Sequence, residues 1–275
     1  MILQAVILGI VQGLTEFLPI SSSAHLLLVP YFFKWTDPGL GFGVALHWGT
    51  LLAVIFVFWK DYWRYAIALF RPLPPSAPSP GLGRDGERSK YSNSDRKLAW
   101  FLILGSIPAA VFGLLFEKQA ETVFRDPLIT VFTLAGFGFI LWLVDRKAKH
   151  TEKLEGLTWL KTLGIGLAQA IAIIPGVSRS GATITTGLLT KLDRESATRF
   201  SFLLSGPIIF GAGLVALRHI ESVDTALGVG FLSAFVSGVA AIKFLLKYVS
   251  THNFNIFVWY RYALAAVVIM VFLLR

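Results

Sequence analysis

The sequence predicts an all-α polytopic membrane protein of two inverted-topology repeats, each a re-entrant, broken-helix hairpin followed by three transmembrane helices. Three observations carry this expectation. Of 275 residues, 55% are hydrophobic and 15% charged, with a mean hydropathy of +0.68, which is more apolar side chain than a soluble protein of this size can bury. Six stretches reach the roughly 17 to 25 apolar residues needed to cross a bilayer. Two more are apolar but interrupted near their middle by proline and polar residues.

In chain order, the first interrupted segment is 1–34, broken at Pro19, and spans follow near 42–59, 98–116 and 128–144. The second interrupted segment is 157–190, broken at Pro175-Gly176, with spans near 199–217, 226–247 and 254–274. Proline removes a backbone donor and disfavours helix in the residue before it. A straight helix through either break would strand backbone polar groups in lipid, whereas a hairpin buried among other helices re-satisfies them. Repeat one covers about 1–144 and repeat two about 157–275 of a single integral membrane domain. Residues 71–97, with five of the twelve prolines, read as a flexible cytoplasmic loop. The halves share a faint likeness: Leu8-Gly9-Ile10 with Gln12 ahead of Pro19, against Leu163-Gly164-Ile165 with Gln169 ahead of Pro175.

The net charge of +9 resides largely in loops beside apolar spans, as positive-inside topology produces, and no nucleic-acid motif accompanies it. Eight Lys/Arg lie in 60–97, two in 117–126 and five in 145–161, which places the first and third loops in the cytoplasm. The first hairpin then enters from outside and the second from the cytoplasm. Three spans, an odd number, separate them, so the second half is inverted. No cysteine is present, which removes disulfides, thiol catalysis and soft-metal sites. The N-terminal stretch lacks a basic region and a small-residue cleavage site and is expected to stay in place.

Glu16 is an ionisable group inside an apolar segment, where a carboxylate is retained only against a partner or a polar cavity. Gln12 lies four residues earlier, on the same helical face, so the two can jointly address a ligand or metal; the plainer alternative is a Glu satisfied by nearby backbone. Ser21, Ser22 and Ser23 follow Pro19 at a helix start, where one serine serves as N-cap. Ser22 and His25 are three apart, and a hydroxyl, an imidazole and a carboxylate together suit nucleophilic or acid–base chemistry. In the second break, Gly176 permits close backbone approach, Ser178, Ser180 and Thr183 offer hydroxyls, and Arg179 can grip phosphate through two parallel hydrogen bonds. Arg179 as a snorkelling residue is the alternative. Arg261 and Lys243 read as snorkelling groups near helix ends. His47 is a cavity-lining residue or, more commonly, a satisfied buried histidine, and the aromatic residues at 59, 62, 63 and 65 read as an interfacial belt.

The segment QGLTEFLPISSSAH from Gln12 to His25, with PGVSRSGAT from Pro175 to Thr183, closely resembles the paired signatures of the bacterial undecaprenyl-diphosphate phosphatase family of the bacitracin-resistance type. Ala24 departs from the glycine common there, a change that matters only if the position needs a positive φ. The unrelated phosphatidic-acid-phosphatase type carries a histidine five residues after its Ser-Arg, and none follows Ser178-Arg179. The resemblance implies hydrolysis of undecaprenyl diphosphate to undecaprenyl phosphate, the family's E/Q-x-x-x-E pair falling on Gln12 and Glu16, its histidine on His25 and its arginine on Arg179; with Ser22 from the residue reading, Glu16, Ser22, His25 and Arg179 are the expected catalytic groups. From the chemistry of the two breaks, substrate contacts are expected from Gln12, Ser21, Ser23, Gly176, Ser178, Ser180 and Thr183. A divalent cation, Mg²⁺ or Ca²⁺, would sit on Gln12 and Glu16.

The nucleophile candidates are Ser22 activated by Glu16 or His25, then His25 itself, then metal-bound water. The implied setting is the bacterial plasma membrane, with the site open to the extracytoplasmic face and a polyprenyl diphosphate lipid as partner. Assembly is left open, a homodimer included. The competing class is a secondary transporter or lipid flippase on the same inverted repeat, since broken helices also serve carriers.

Overall fold

The computed structural model describes residues 2–36, 39–70, 93–116, 119, 126–220 and 224–274. Among them, regular structure is helical apart from one isolated bridge between Glu152 and Leu192. A short pair, α1 (Ile2–Phe17) and α2 (Ser22–Phe33), precedes three long helices, α3 (Gly39–Phe70), α4 (Asn93–Leu115) and α5 (Pro127–Lys147). The pattern recurs as the short α6 (Trp159–Ile171) and α7 (Arg179–Leu189) before α8 (Arg194–Ala216), α9 (Thr225–Val249) and α10 (Asn255–Leu273). The six long helices are the six expected spans, each long and apolar enough to cross a bilayer, and the protein is a polytopic membrane protein.

Local chemistry sets the helix starts. Asp126, Asp193 and Asp224 accept from backbone N–H groups of Leu128, Ser196 and Leu227 at 2.7, 2.7 and 2.8 Å, and Thr158 caps α6. Two boundaries differ from expectation. Residues 93–97 of the expected loop begin α4, with Asp95 in its first turn, and 71–92 lie outside the described residues. Helix α3 runs on past 59 to Phe70, bending at Phe58 (φ −107°, ψ 20°). Its extension is held to α8, because Tyr62 donates to the Leu203 carbonyl at 2.8 Å and Asp61 pairs with Arg199 at 2.8 Å. The expected aromatic belt is therefore split: Trp59 and Trp63 face outward, while Tyr65 is buried and Tyr62 half-buried.

Packing follows small residues, as it must where lipid removes the hydrophobic drive between helices. Helix α1 lies along α9, with Gly9 against the Gly230 carbonyl and Gly13 against Ala234, Ser237 and Gly238. Helix α6 lies along α4 in the same manner, Gly166 meeting Gly105. Helix α3 packs on α8 and α9, α4 on α8, and α5 on α10. The buried Asp145 carboxylate accepts from Arg194 at 2.6 Å and from the Phe254 N–H at 2.9 Å, tying α5 to the starts of α8 and α10. This frame brings the two α1–α2 and α6–α7 breaks face to face.

Candidate active site

Both breaks end in a serine at an N-cap position with positive φ, Ser21 at 76° and Ser178 at 72°. Such backbone costs about 1–3 kcal/mol per residue and persists only where surroundings impose it. Ser178 Oγ caps its own helix through the Gly181 N–H at 3.1 Å. Ser21 makes no side-chain cap; its Oγ accepts instead from the Gly176 N–H, at 3.1 Å, across the breaks. Ser180 Oγ returns the link by donating to the Leu18 carbonyl at 3.0 Å.

Glu16 lies at the centre, 6% exposed. Its Oε1 accepts from Arg179 Nε and Nη2 at 3.2 and 3.1 Å, and Arg179 Nη1 continues to the Ser201 carbonyl at 3.2 Å. Its Oε2 accepts from Ser22 Oγ at 2.6 Å and Gln12 Nε2 at 3.1 Å. The carboxylate of the first break thus finds its partner in Arg179 of the second, with the hydroxyl of Ser22 on the same carboxylate.

These groups floor a cavity of about 680 Å³. Glu16, Ser21, Ser22, Ser23, His47, Ser178 and Arg179 form its polar end; Leu26, Leu27, Pro30, Trp35, Phe42, Ile208 and Ile209 are among its apolar walls. The other expected site residues stand behind that surface. Gln12 is fully buried and touches Glu16, with its Oε1 left unpartnered. Gly176, at φ 90°, presses on Thr130 and Thr133 of α5, and Thr183 Oγ1 shares a 2.6 Å hydrogen bond with Ser201.

His25 differs most from expectation. Its Nδ1 is 2.7 Å from the Ser21 carbonyl and its Nε2 2.7 Å from the Tyr260 hydroxyl, with the rings stacked. Both nitrogens are thereby engaged away from Ser22, because helix α2 turns this residue toward α10 and not toward the cavity. His47 occupies the cavity instead, its side chain 41% exposed and its Nε2 3.9 Å from Glu16 Oε2. Its Nδ1 is held 2.8 Å from the Gly43 carbonyl, so Nε2 is the nitrogen that faces the carboxylate. In the sequence the signal for this role is an ionisable residue within an apolar span. Arg261 departs from the snorkelling expectation: it is fully buried, because backbone carbonyls surround its guanidinium. Ala24 is helical without positive φ, so its departure from glycine carries no strain.

Residues 5–267 match the family described as bacitracin resistance protein BacA. The chain is 49% identical to an undecaprenyl-diphosphatase of Moorella thermoacetica over 100% of this chain and 99% of that protein. It is 46% identical to one of Caldicellulosiruptor bescii, over 99% and 98%, and 45% identical to one of Rubrobacter xylanophilus, over 99% of each. With a match running through both breaks and nearly all the helices, the chain belongs to the bacitracin resistance BacA family.

Proposed function

We propose that this protein is an undecaprenyl-diphosphate phosphatase of the bacterial cell membrane, hydrolysing undecaprenyl diphosphate to undecaprenyl phosphate and inorganic phosphate and so recycling the lipid carrier for peptidoglycan synthesis. The observation that carries this is a single cavity whose polar floor of Glu16, Ser22, His47 and Arg179 continues into apolar walls. A diphosphate needs the floor and a polyprenyl chain needs the walls.

In the mechanism this geometry supports, the Arg179 fork turns from Glu16 to the incoming phosphate oxygens. Ser22 Oγ attacks the terminal phosphorus, its proton passing to Glu16 Oε2, and undecaprenyl phosphate leaves. Water then cleaves the phosphoserine, giving inorganic phosphate and restoring the serine. His47 Nε2 faces the same carboxylate and is placed to contact the transferring group. His25, engaged on both ring nitrogens, supports the Ser21 turn and Tyr260 and is the weaker candidate for direct attack. Phosphoenzyme trapping followed by mass spectrometry should place the label on Ser22; label on His25 would reverse the assignment, and none would favour water. A purified protein that moves lipid across liposomes without releasing phosphate would favour the carrier class.

For the expected divalent cation, no cluster of three His, Cys, Asp or Glu exists among the described residues, and Glu16 is the carboxylate on the cavity wall. That donor set fits a hard cation whose shell is completed by substrate oxygens and water, with Gln12 orienting Glu16 from behind. When bound, Mg²⁺ or Ca²⁺ would neutralise diphosphate charge at this oxygen-rich floor. Activity is expected to fall to background on thorough EDTA treatment and return on adding either ion.

The finer architecture belongs to the same proposal. The short helices α1, α2, α6 and α7 span 11 to 16 residues, suited to re-entrant hairpins and not to full crossings. One register pairs Gly9, Gln12 and Ser21 with Gly166, Gln169 and Ser178, and in element order, with α4 and α9 each the second long helix of its half, the α1–α9 contact corresponds to the α6–α4 contact, which supports an inverted repeat. The Leu163-Gly164-Ile165 match expected from sequence lies two residues outside that register. By positive-inside counting the cavity opens to the extracytoplasmic face, and a homodimer is compatible with all of this.

A further inference from the structure

Burying an arginine inside a membrane protein is costly unless each donor finds an acceptor. Arg261 of α10 is 0% exposed. Its Nε donates to the Leu134 carbonyl at 2.9 Å and its Nη1 to the Pro19 carbonyl at 3.2 Å. Its Nη2 reaches the carbonyls of Thr133, Gly176 and Val177 at 3.3, 2.7 and 3.2 Å. One side chain therefore joins the first break, the second break and the middle of α5. Space for it is made by two glycines: a Cβ at Gly138 would lie 3.4 Å from Nε, and one at Gly181 3.2 Å from Nη1.

A trans peptide points its carbonyl and its N–H in opposite directions. Fixing the Pro19 and Gly176 carbonyls fixes the following N–H groups of Ile20 and Val177, which are spent within their own turns on Leu18 and Ile174. Fixing the Val177 carbonyl does something else. It turns the Ser178 N–H, which has no partner among the described residues, to the opposite side of that peptide, at a residue that lines the cavity beside Arg179. We propose that Arg261 is a positioning residue for the diphosphate site, holding the two breaks in register so that the Ser178 N–H and the start of α7 present donors to the phosphate oxygens. Its partners are all carbonyls, so it works through geometry, and an ammonium of equal charge cannot replace it.

The inference rests on the phosphate-binding role proposed for the cavity. It is tested by binding of inorganic pyrophosphate to the purified full chain in detergent, alongside lipid turnover and thermal unfolding. For Arg261→Lys we expect pyrophosphate affinity at least about tenfold weaker for the protein that remains folded, the size of losing a well-placed donor. A purely structural role would lower the unfolding midpoint and leave the affinity of the folded fraction unchanged, and that result overturns the proposal. Gly138→Val, which crowds Nε from α5 and adds nothing to the cavity, should weaken affinity in the same direction. Should Arg261→Lys not fold, unchanged affinity in Gly138→Val alone refutes the idea. Failure of the wild-type chain to hydrolyse lipid would count against the phosphatase proposal, while the affinity comparison would still decide the role of Arg261.

Discussion

At the scale of residues, the site turns on one carboxylate with four polar neighbours. Ser22 Oγ at 2.6 Å from Glu16 is the short contact, and it makes Ser22→Ala the most direct test of the nucleophile. Phosphate release should fall by at least about 100-fold, in the range seen when an activated group is lost. Arg179→Lys is expected to recover little, since a point charge does not reproduce the planar fork that reaches both Glu16 and the Ser201 carbonyl. A near-normal rate would mean that charge alone matters. Tyr260→Phe, by contrast, should act on stability first. It strips the 2.7 Å partner from a His25 ring that is 6% exposed, leaving a buried nitrogen unsatisfied at a cost of about 1–3 kcal/mol, readable as a lower unfolding midpoint.

Among elements, the hairpin helices depend on close backbone approach. A Cβ at Gly13 would sit 2.7 Å from the Gly238 nitrogen and 2.5 Å from the Ala234 carbonyl oxygen, both backbone atoms of α9 that cannot step aside. Gly13→Val is expected to destabilise the protein by about 1–3 kcal/mol or more and to disturb Glu16 one turn away. Gly136→Ala on α5 meets nothing within 4 Å and should be neutral or slightly stabilising. Comparing the two in a thermal unfolding series separates helix propensity from packing. The kink at Phe58 belongs to this scale too, because the helix beyond it is held by Asp61, Tyr62 and Arg199 and not by apolar contact alone.

For the whole molecule, orientation decides which side of the membrane the reaction serves. The chain has no cysteine of its own, so single cysteines at Ser89 and Ala120, both outside the described residues, are clean reporters. On intact cells a membrane-impermeant thiol reagent should label Ala120→Cys and spare Ser89→Cys. The reverse pattern would invert the topology and the side of catalysis.

Composition and proline placement alone determined the six spans and the two breaks, because apolar run length and lost backbone donors are properties of local sequence; a carboxylate in one break and an arginine in the other marked the site, and the fold made their contact. Whether a polar side chain faced the cavity was settled only in three dimensions. His25 and His47 are both histidines in apolar helices, and nothing in their neighbours tells which ring meets Tyr260 and which meets Glu16. Arg261 shows the same limit. Its position in the last span suggested a side chain reaching for the interface, but its five carbonyl partners come from segments some 84 to 242 residues away, and only the packed fold brings them within reach of one guanidinium.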